Sequence, residues 1–100
     1  MVKHVVMWKL KNEAEGHSME TNRITAKEKL ESLPALISQI ESLEVGINLN
    51  SSEAAFDLVL ITTHRSMDDL SGYVAHEAHQ YVAKFIAKIV SERKVVDFEF

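Results

Sequence analysis

Between Tyr73 and Val82 the sequence reads YVAHEAHQYV, which brings a phenol and two imidazoles, Tyr73, His76 and His79, into one helical stretch. These side chains move protons near neutral pH, polarise a substrate oxygen or bind a metal. The zinc signature H-E-x-x-H places three residues between its histidines, whereas HEAH has only two. No carboxylate or third histidine is coupled in sequence to the pair, so no metal site is expected. Two roles stay open for Tyr73 and His79. As a site they form an acid–base pair; as packing, His79 bonds a backbone carbonyl at the edge of an apolar stripe, and Tyr73 buries its ring and wets its hydroxyl. In the first apolar run, His4 shares a strand face with Val2, Val6 and Trp8, which makes His4, Val6 and Trp8 candidate ligand-binding residues. His17 and His64 fall in loop or strand-end contexts and carry no site signal.

The elements that must position these residues follow from periodicity. KHVVMWKLK (Lys3–Lys11) is apolar at both parities in its middle, as a strand covered on both faces requires. A helix is expected over Ser18–Leu33, carrying Met19, Ala26, Leu30 and Leu33 inward and ending near Pro34. ESLEVGINLN alternates Leu43, Val45, Ile47 and Leu49 with polar or small residues, the pattern of an edge strand. FDLVLITTH holds an unbroken run, Leu58–Ile61, and reads as a second central strand. Ser66 then caps a helix, with Asp69 placed to complete a capping box. KVVDFEF at the end is a last strand. The order is βαββαβ in a single domain over residues 1–100, an α+β ferredoxin-like antiparallel sheet with its helices on one face.

The second helix carries a conflict. Met67, Leu70, Tyr73 and Val74 form one apolar stripe, and Ala78, Val82, Phe85, Ile86 and Ile89 form another. On a continuous helix the two are offset by roughly 110° and cannot both face the sheet. A break near His76–Ala78, with a second piece starting around Glu77, turns Tyr73 and His79 both toward the sheet. His76 then stays outside or caps the first piece.

Composition bounds the partners. The 100 residues are 46% hydrophobic, with 15 acidic against 11 basic residues and a net charge of −4. No cluster of Lys or Arg is present to neutralise successive phosphates, so nucleic acid is not an expected partner. The apolar run HVVMW is too short for a signal-peptide core or a membrane span, which leaves a soluble cytoplasmic protein as the expectation and no membrane partner. With no cysteine, there is no disulfide, thiolate nucleophile or cysteine-held metal. Helices on one face leave the other apolar sheet face bare, and a second copy of the chain is expected to cover it, with the Val5/Met7 side meeting the partner.

The whole chain resembles the stress-responsive dimeric α/β-barrel (Dabb) domain family. KHVVMWKLK, LEVGINL, DLVLITTH, SMDDLSGYVAHEAH and VVDFEF carry the likeness. It implies a ferredoxin-like protomer whose sheet pairs with that of a second chain to form a dimeric α/β barrel. A more distant likeness is to the olivetolic acid cyclase branch, which closes a linear polyketide by an intramolecular aldol reaction without a cofactor. Residues matching that branch's site are Tyr73, His79 and His4: by this likeness His79 takes a proton from between two carbonyls and Tyr73 polarises the substrate oxygen. Two positions depart from it. Leu58 stands where the cyclase has a further histidine, and His76-Glu77 replaces the family's usual His-Pro at the helix break. The expectation is therefore a homodimeric domain that binds a small apolar molecule between helices and sheet. The alternative is a small cyclase-like or isomerase-like enzyme using the Tyr/His pair.

Overall fold

The N-terminal apolar run forms β1 (Val2–Leu10) in the computed structural model, which describes residues 1–100. Val2, His4, Val6, Trp8 and Leu10 are buried on one face of β1, while Met7 on the other is 39% exposed. A two-stranded hairpin follows, β2 (Glu13–Ala14) and β3 (His17–Ser18), turned by Glu15 and Gly16 at φ 52° and 79°. Both turn residues lie in the left-handed region that suits tight hairpin turns, and glycine supplies one of them without strain.

Helix α1 (Met19–Glu31) starts at Ser18, whose hydroxyl accepts from the Thr21 N–H. It ends two residues short of Leu33, and a single 3-10 turn, Leu33–Ala35, carries Pro34 instead. Ala26, Leu30 and Leu33 are buried as the spacing predicts. Asn22 is buried as well, its side-chain amide donating to the Ala14 and His17 carbonyls and so clamping the hairpin onto the helix.

The remaining elements are β4 (Ser42–Ile47), β5 (Leu58–His64), α2 (Met67–Ala75), α3 (Glu77–Ile89) and β6 (Val90–Glu99). The main sheet is antiparallel in the order β4-β5-β1-β6, which makes β1 and β5 central. The buried side chains of β1, β4 and β5 join those of all three helices in one core, so the helices lie on one face. Each aliphatic side chain fully buried there contributes about 1.5–3 kcal/mol.

Three expectations about the elements change. Leu49 lies beyond the end of β4 and is 98% exposed, because Asn48 turns the chain away by donating to the Phe56 carbonyl and accepting from the Asn50 N–H. Met67 and Val74, read as part of an inward stripe, are largely exposed, which leaves Leu70 and Tyr73 to anchor α2. Finally, β6 begins at Val90, directly out of α3, rather than at Lys94.

The open face of the sheet is apolar at its centre. Opposite one another across β5, β1 and β6 stand Ile61, Val5 and Val96, with Val59 beside Met7 and Phe98 beside Lys3. In the single chain Val96 is 61% and Phe98 43% exposed.

Candidate functional site

The helix break falls at His76. This residue is extended (φ −63°, ψ 139°), closing α2 and opening α3, and its Nδ1 accepts from the Ala78 N–H 3.0 Å away. His76 thus caps the start of α3 as well as ending the first piece, a position at which an imidazole lone pair satisfies an otherwise unpaired helix donor. With the ladder interrupted, the Val74 carbonyl accepts from the Nδ1–H of His79 (2.9 Å) and from the Gln80 amide (2.8 Å). A carbonyl only accepts, so the bond fixes the His79 tautomer with its proton on Nδ1 and leaves Nε2 with a free lone pair.

The break also brings Tyr73 and His79 together. Their rings are 4.6 Å apart and edge-on, and Tyr73 is completely buried. His4 lies 6.1 Å from the Tyr73 ring and His64 lies 5.1 Å from it, so three imidazoles surround the phenol. Burial raises the Tyr73 pKa to about 12, against a small opposing pull from the Arg93 charge. The His79 pKa is lowered, chiefly by burial, with the Val74 carbonyl opposing and the charges on His4 and Arg93 assisting. His79 is accordingly largely neutral at pH 7.

His64, a strand-end residue with no site signal by spacing, is in fact fully buried beside Tyr73. Its Nδ1–H donates to the Gln39 carbonyl (2.8 Å) and its Nε2 accepts from the Thr62 hydroxyl (2.8 Å). Both nitrogens are committed, and burial lowers its pKa against the opposing pull of the Gln39 carbonyl. It holds Tyr73 in place rather than offering a free lone pair. Gly72 permits this arrangement: a Cβ there would lie 3.2 Å from the Gln39 amide, so glycine lets the segment bearing that carbonyl come close to α2.

His4 pairs with Asp97 of β6 through Nδ1, and its Nε2 makes no hydrogen bond within the chain. The two histidines line one cavity of about 340 Å³ between α3 and the sheet, together with Val6, Trp8, Leu60, Val82 and Ile86. His4, Val6 and Trp8 therefore meet at one wall, with His79 opposite on α3. Tyr73 sits behind this wall and does not line the cavity. Its hydroxyl is buried with no hydrogen-bond partner. Arg93, which the sequence reading left outside the last strand, is also at the cavity.

Leaving a buried hydroxyl unpaired costs about 1–3 kcal/mol. Tyr73→Phe is accordingly expected to raise stability, by about 1 kcal/mol, in urea titrations. A loss of that size would show that the hydroxyl has a hydrogen-bond partner in solution.

No group of three or more His, Asp or Glu side chains is placed to hold a metal ion. His76 and His79 each direct Nδ1 to a separate backbone group.

Comparison with known proteins bears on this geometry. The family model for the stress responsive A/B barrel domain matches residues 2–100. The chain belongs to this family. Among solved structures, the barrel domain is similar to a dimeric protein of unknown function with a ferredoxin-like fold from Bacteroides fragilis. The two share 34% identity over 99% of this chain and 95% of that one, with a TM-score of 0.86. A Dabb family protein from Mesorhizobium loti aligns with TM-score 0.72 and 21% identity over 98% and 94% of the two chains. The hydroxynitrile lyase of Passiflora edulis aligns with TM-score 0.80 and 15% identity over 97% and 90%. At these last two identities the likeness is one of fold. No curated protein matches the sequence. No helix of this barrel domain is long and apolar enough to cross a membrane.

Proposed function

We propose that the protein is a homodimer, joined through the open face of its sheet, that binds a small, largely apolar molecule in the cavity beneath α3. His4 and His79 hold the polar group of that molecule. The observation that carries this reading is the cavity itself: an apolar space of about 340 Å³ with two imidazoles on its walls, each anchored through Nδ1. Such a space, with a few convergent polar groups, is the usual form of a small-molecule site. The dimeric Bacteroides fragilis relative supports the pairing, as does the apolar row Ile61, Val5 and Val96.

Trp8 is the only tryptophan and lines the cavity, so its fluorescence reports occupancy directly. Titration with an apolar β-diketone such as benzoylacetone is expected to change Trp8 emission and raise the melting temperature. His79→Ala is expected to weaken this binding about tenfold, the loss of one good hydrogen bond, while His76→Ala leaves it unchanged. Equal binding by wild type and His79→Ala would remove His79 from the site.

One observation favours a second reading, proton transfer. His79 is neutral with its Nε2 lone pair free and lines the cavity, as a general base for a bound C–H acid requires. No cofactor is needed for that step. Fold does not decide the matter, since solved neighbours include both a hydroxynitrile lyase and proteins of unknown function. Under this reading the protein accelerates exchange of the diketone's central C–H for deuterium, seen by NMR, and His79→Ala abolishes the acceleration. Exchange at the uncatalysed rate in wild type would leave binding as the only function.

A further inference from the structure

The cavity wall contributed by β6 has a polar character that the apolar lining does not explain. Arg93 stands opposite Trp8 in the β1–β6 register, on the helix-facing side of the strand, with Val95 opposite Val6 and Asp97 opposite His4 further along. Among the residues lining the cavity it is the only Lys, Arg, Asp or Glu. No carboxylate of the chain lies within ion-pairing distance of its guanidinium, and it makes no hydrogen bond. Asp97, the carboxylate two residues along the same row, is held by His4. The remaining walls beyond the two histidines are side chains such as Leu30, Val82 and Ile86. The cavity thus has an apolar interior and, at its solvent-exposed edge on β6, one unpaired permanent cation and no free anion.

We propose that the cavity takes an amphipathic anion, an apolar chain or ring bearing a carboxylate, with the carboxylate paired to Arg93 and the apolar part lying along Val6, Trp8 and Ile86. This rests on the small-molecule reading above and adds the class of ligand. A guanidinium pairs a carboxylate through two parallel N–H donors, which gives both charge selection and a fixed orientation. That orientation runs the ligand from Arg93 past His79, so a hydroxyl or enol O–H on the chain can donate to the free Nε2 of His79 while the carboxylate stays at the arginine.

The test compares octanoate with 1-octanol, which share chain length and differ in charge, by Trp8 fluorescence on the whole protein at low salt and neutral pH. Octanoate is expected to bind at least about tenfold more tightly than the alcohol, as a charge-assisted pair should. Arg93→Gln should bring octanoate down to the level at which the same variant binds the alcohol. Arg93→Lys, which keeps the charge and loses the fork, should retain part of the preference, and added salt should shrink it in the wild type. Equal affinity for the two ligands in the wild type, or a preference that survives Arg93→Gln, overturns the anion proposal while the cavity reading stands on the alcohol's binding. Binding of neither ligand, together with no response to the β-diketone, overturns both.

Discussion

Val96→Asp is expected to turn a dimer into a monomer at tens of micromolar protein. In the single chain Val96 is 61% exposed, so an aspartate there would remain solvated and cost almost nothing if the face were open to water. In a two-fold pair that buries the row Ile61, Val5 and Val96, each subunit contributes one unpaired carboxylate to an apolar interface. Burying unpaired charge costs about 3–5 kcal/mol, or roughly a thousandfold in the dissociation constant. Met7→Asp, on the neighbouring row of the same face, is expected to act in the same direction. Sedimentation equilibrium measures the outcome. A wild-type monomer, or a Val96→Asp protein as dimeric as the wild type, would mean that the sheet face is not the interface.

His64→Ala is expected to cost about 2–4 kcal/mol, the range for a cavity in a core combined with two orphaned hydrogen-bonding groups. The Gln39 carbonyl loses its donor and the Thr62 hydroxyl its acceptor, and the Tyr73 ring loses a wall. Urea titration measures the loss. The same residue also makes stability depend on pH. Both His64 and His79 have pKa values lowered by burial from the ordinary 6.5, so below that value the unfolded chain holds more protons than the folded one. Stability then rises with pH through this window. The contribution is fully present above pH 6.5 and is lost as pH falls toward the lowered folded values. Groups that set the His64 value include the Gln39 carbonyl, His4, Asp69 and Asp97. Protonating His64 also removes the acceptor for Thr62. In His64→Ala the slope of stability against pH should therefore be shallower between pH 6.5 and 5. An unchanged slope would mean that His64 titrates alike in the folded and unfolded chain.

Period and parity carried most of the fold. β1 and β5 read as central because they are apolar at both parities, and the offset of two stripes located the break that the structure places at His76. The hairpin at Glu13–Ser18 was not legible, since its residues are polar and its stability comes from turn geometry and from Asn22, neither of which leaves an apolar period. Of the candidate residues, His4, Val6 and Trp8 share a face by simple alternation, and the contact of Tyr73 with His79 follows from the break. His64 was missed although a signal existed: it continues the parity Leu58, Leu60, Thr62, and all four are buried on the helix side. What concealed it is that a strand end carries no motif spacing that would tie His64 to Tyr73, which the tertiary fold alone brings beside it. Arg93 was missed for a different reason. A strand starting directly at the end of a helix has no turn residues to mark it, so the segment Ser91–Arg93 looked like a connection.

The absence of a loop between α3 and β6 has a mechanical side. α3 is joined to α2 through the single residue His76 and to β6 through none at all, with the Val90 N–H still bonded to the Ile86 carbonyl. A roof tethered without slack at both ends cannot swing away from the sheet unless strand pairing breaks with it. For a guest bound as proposed, such a roof is expected to favour selection by length and width, which the relative affinities of hexanoate, octanoate and decanoate would measure. Little ordering entropy is lost when a guest of the right dimensions enters, which favours selectivity among homologous chains over breadth.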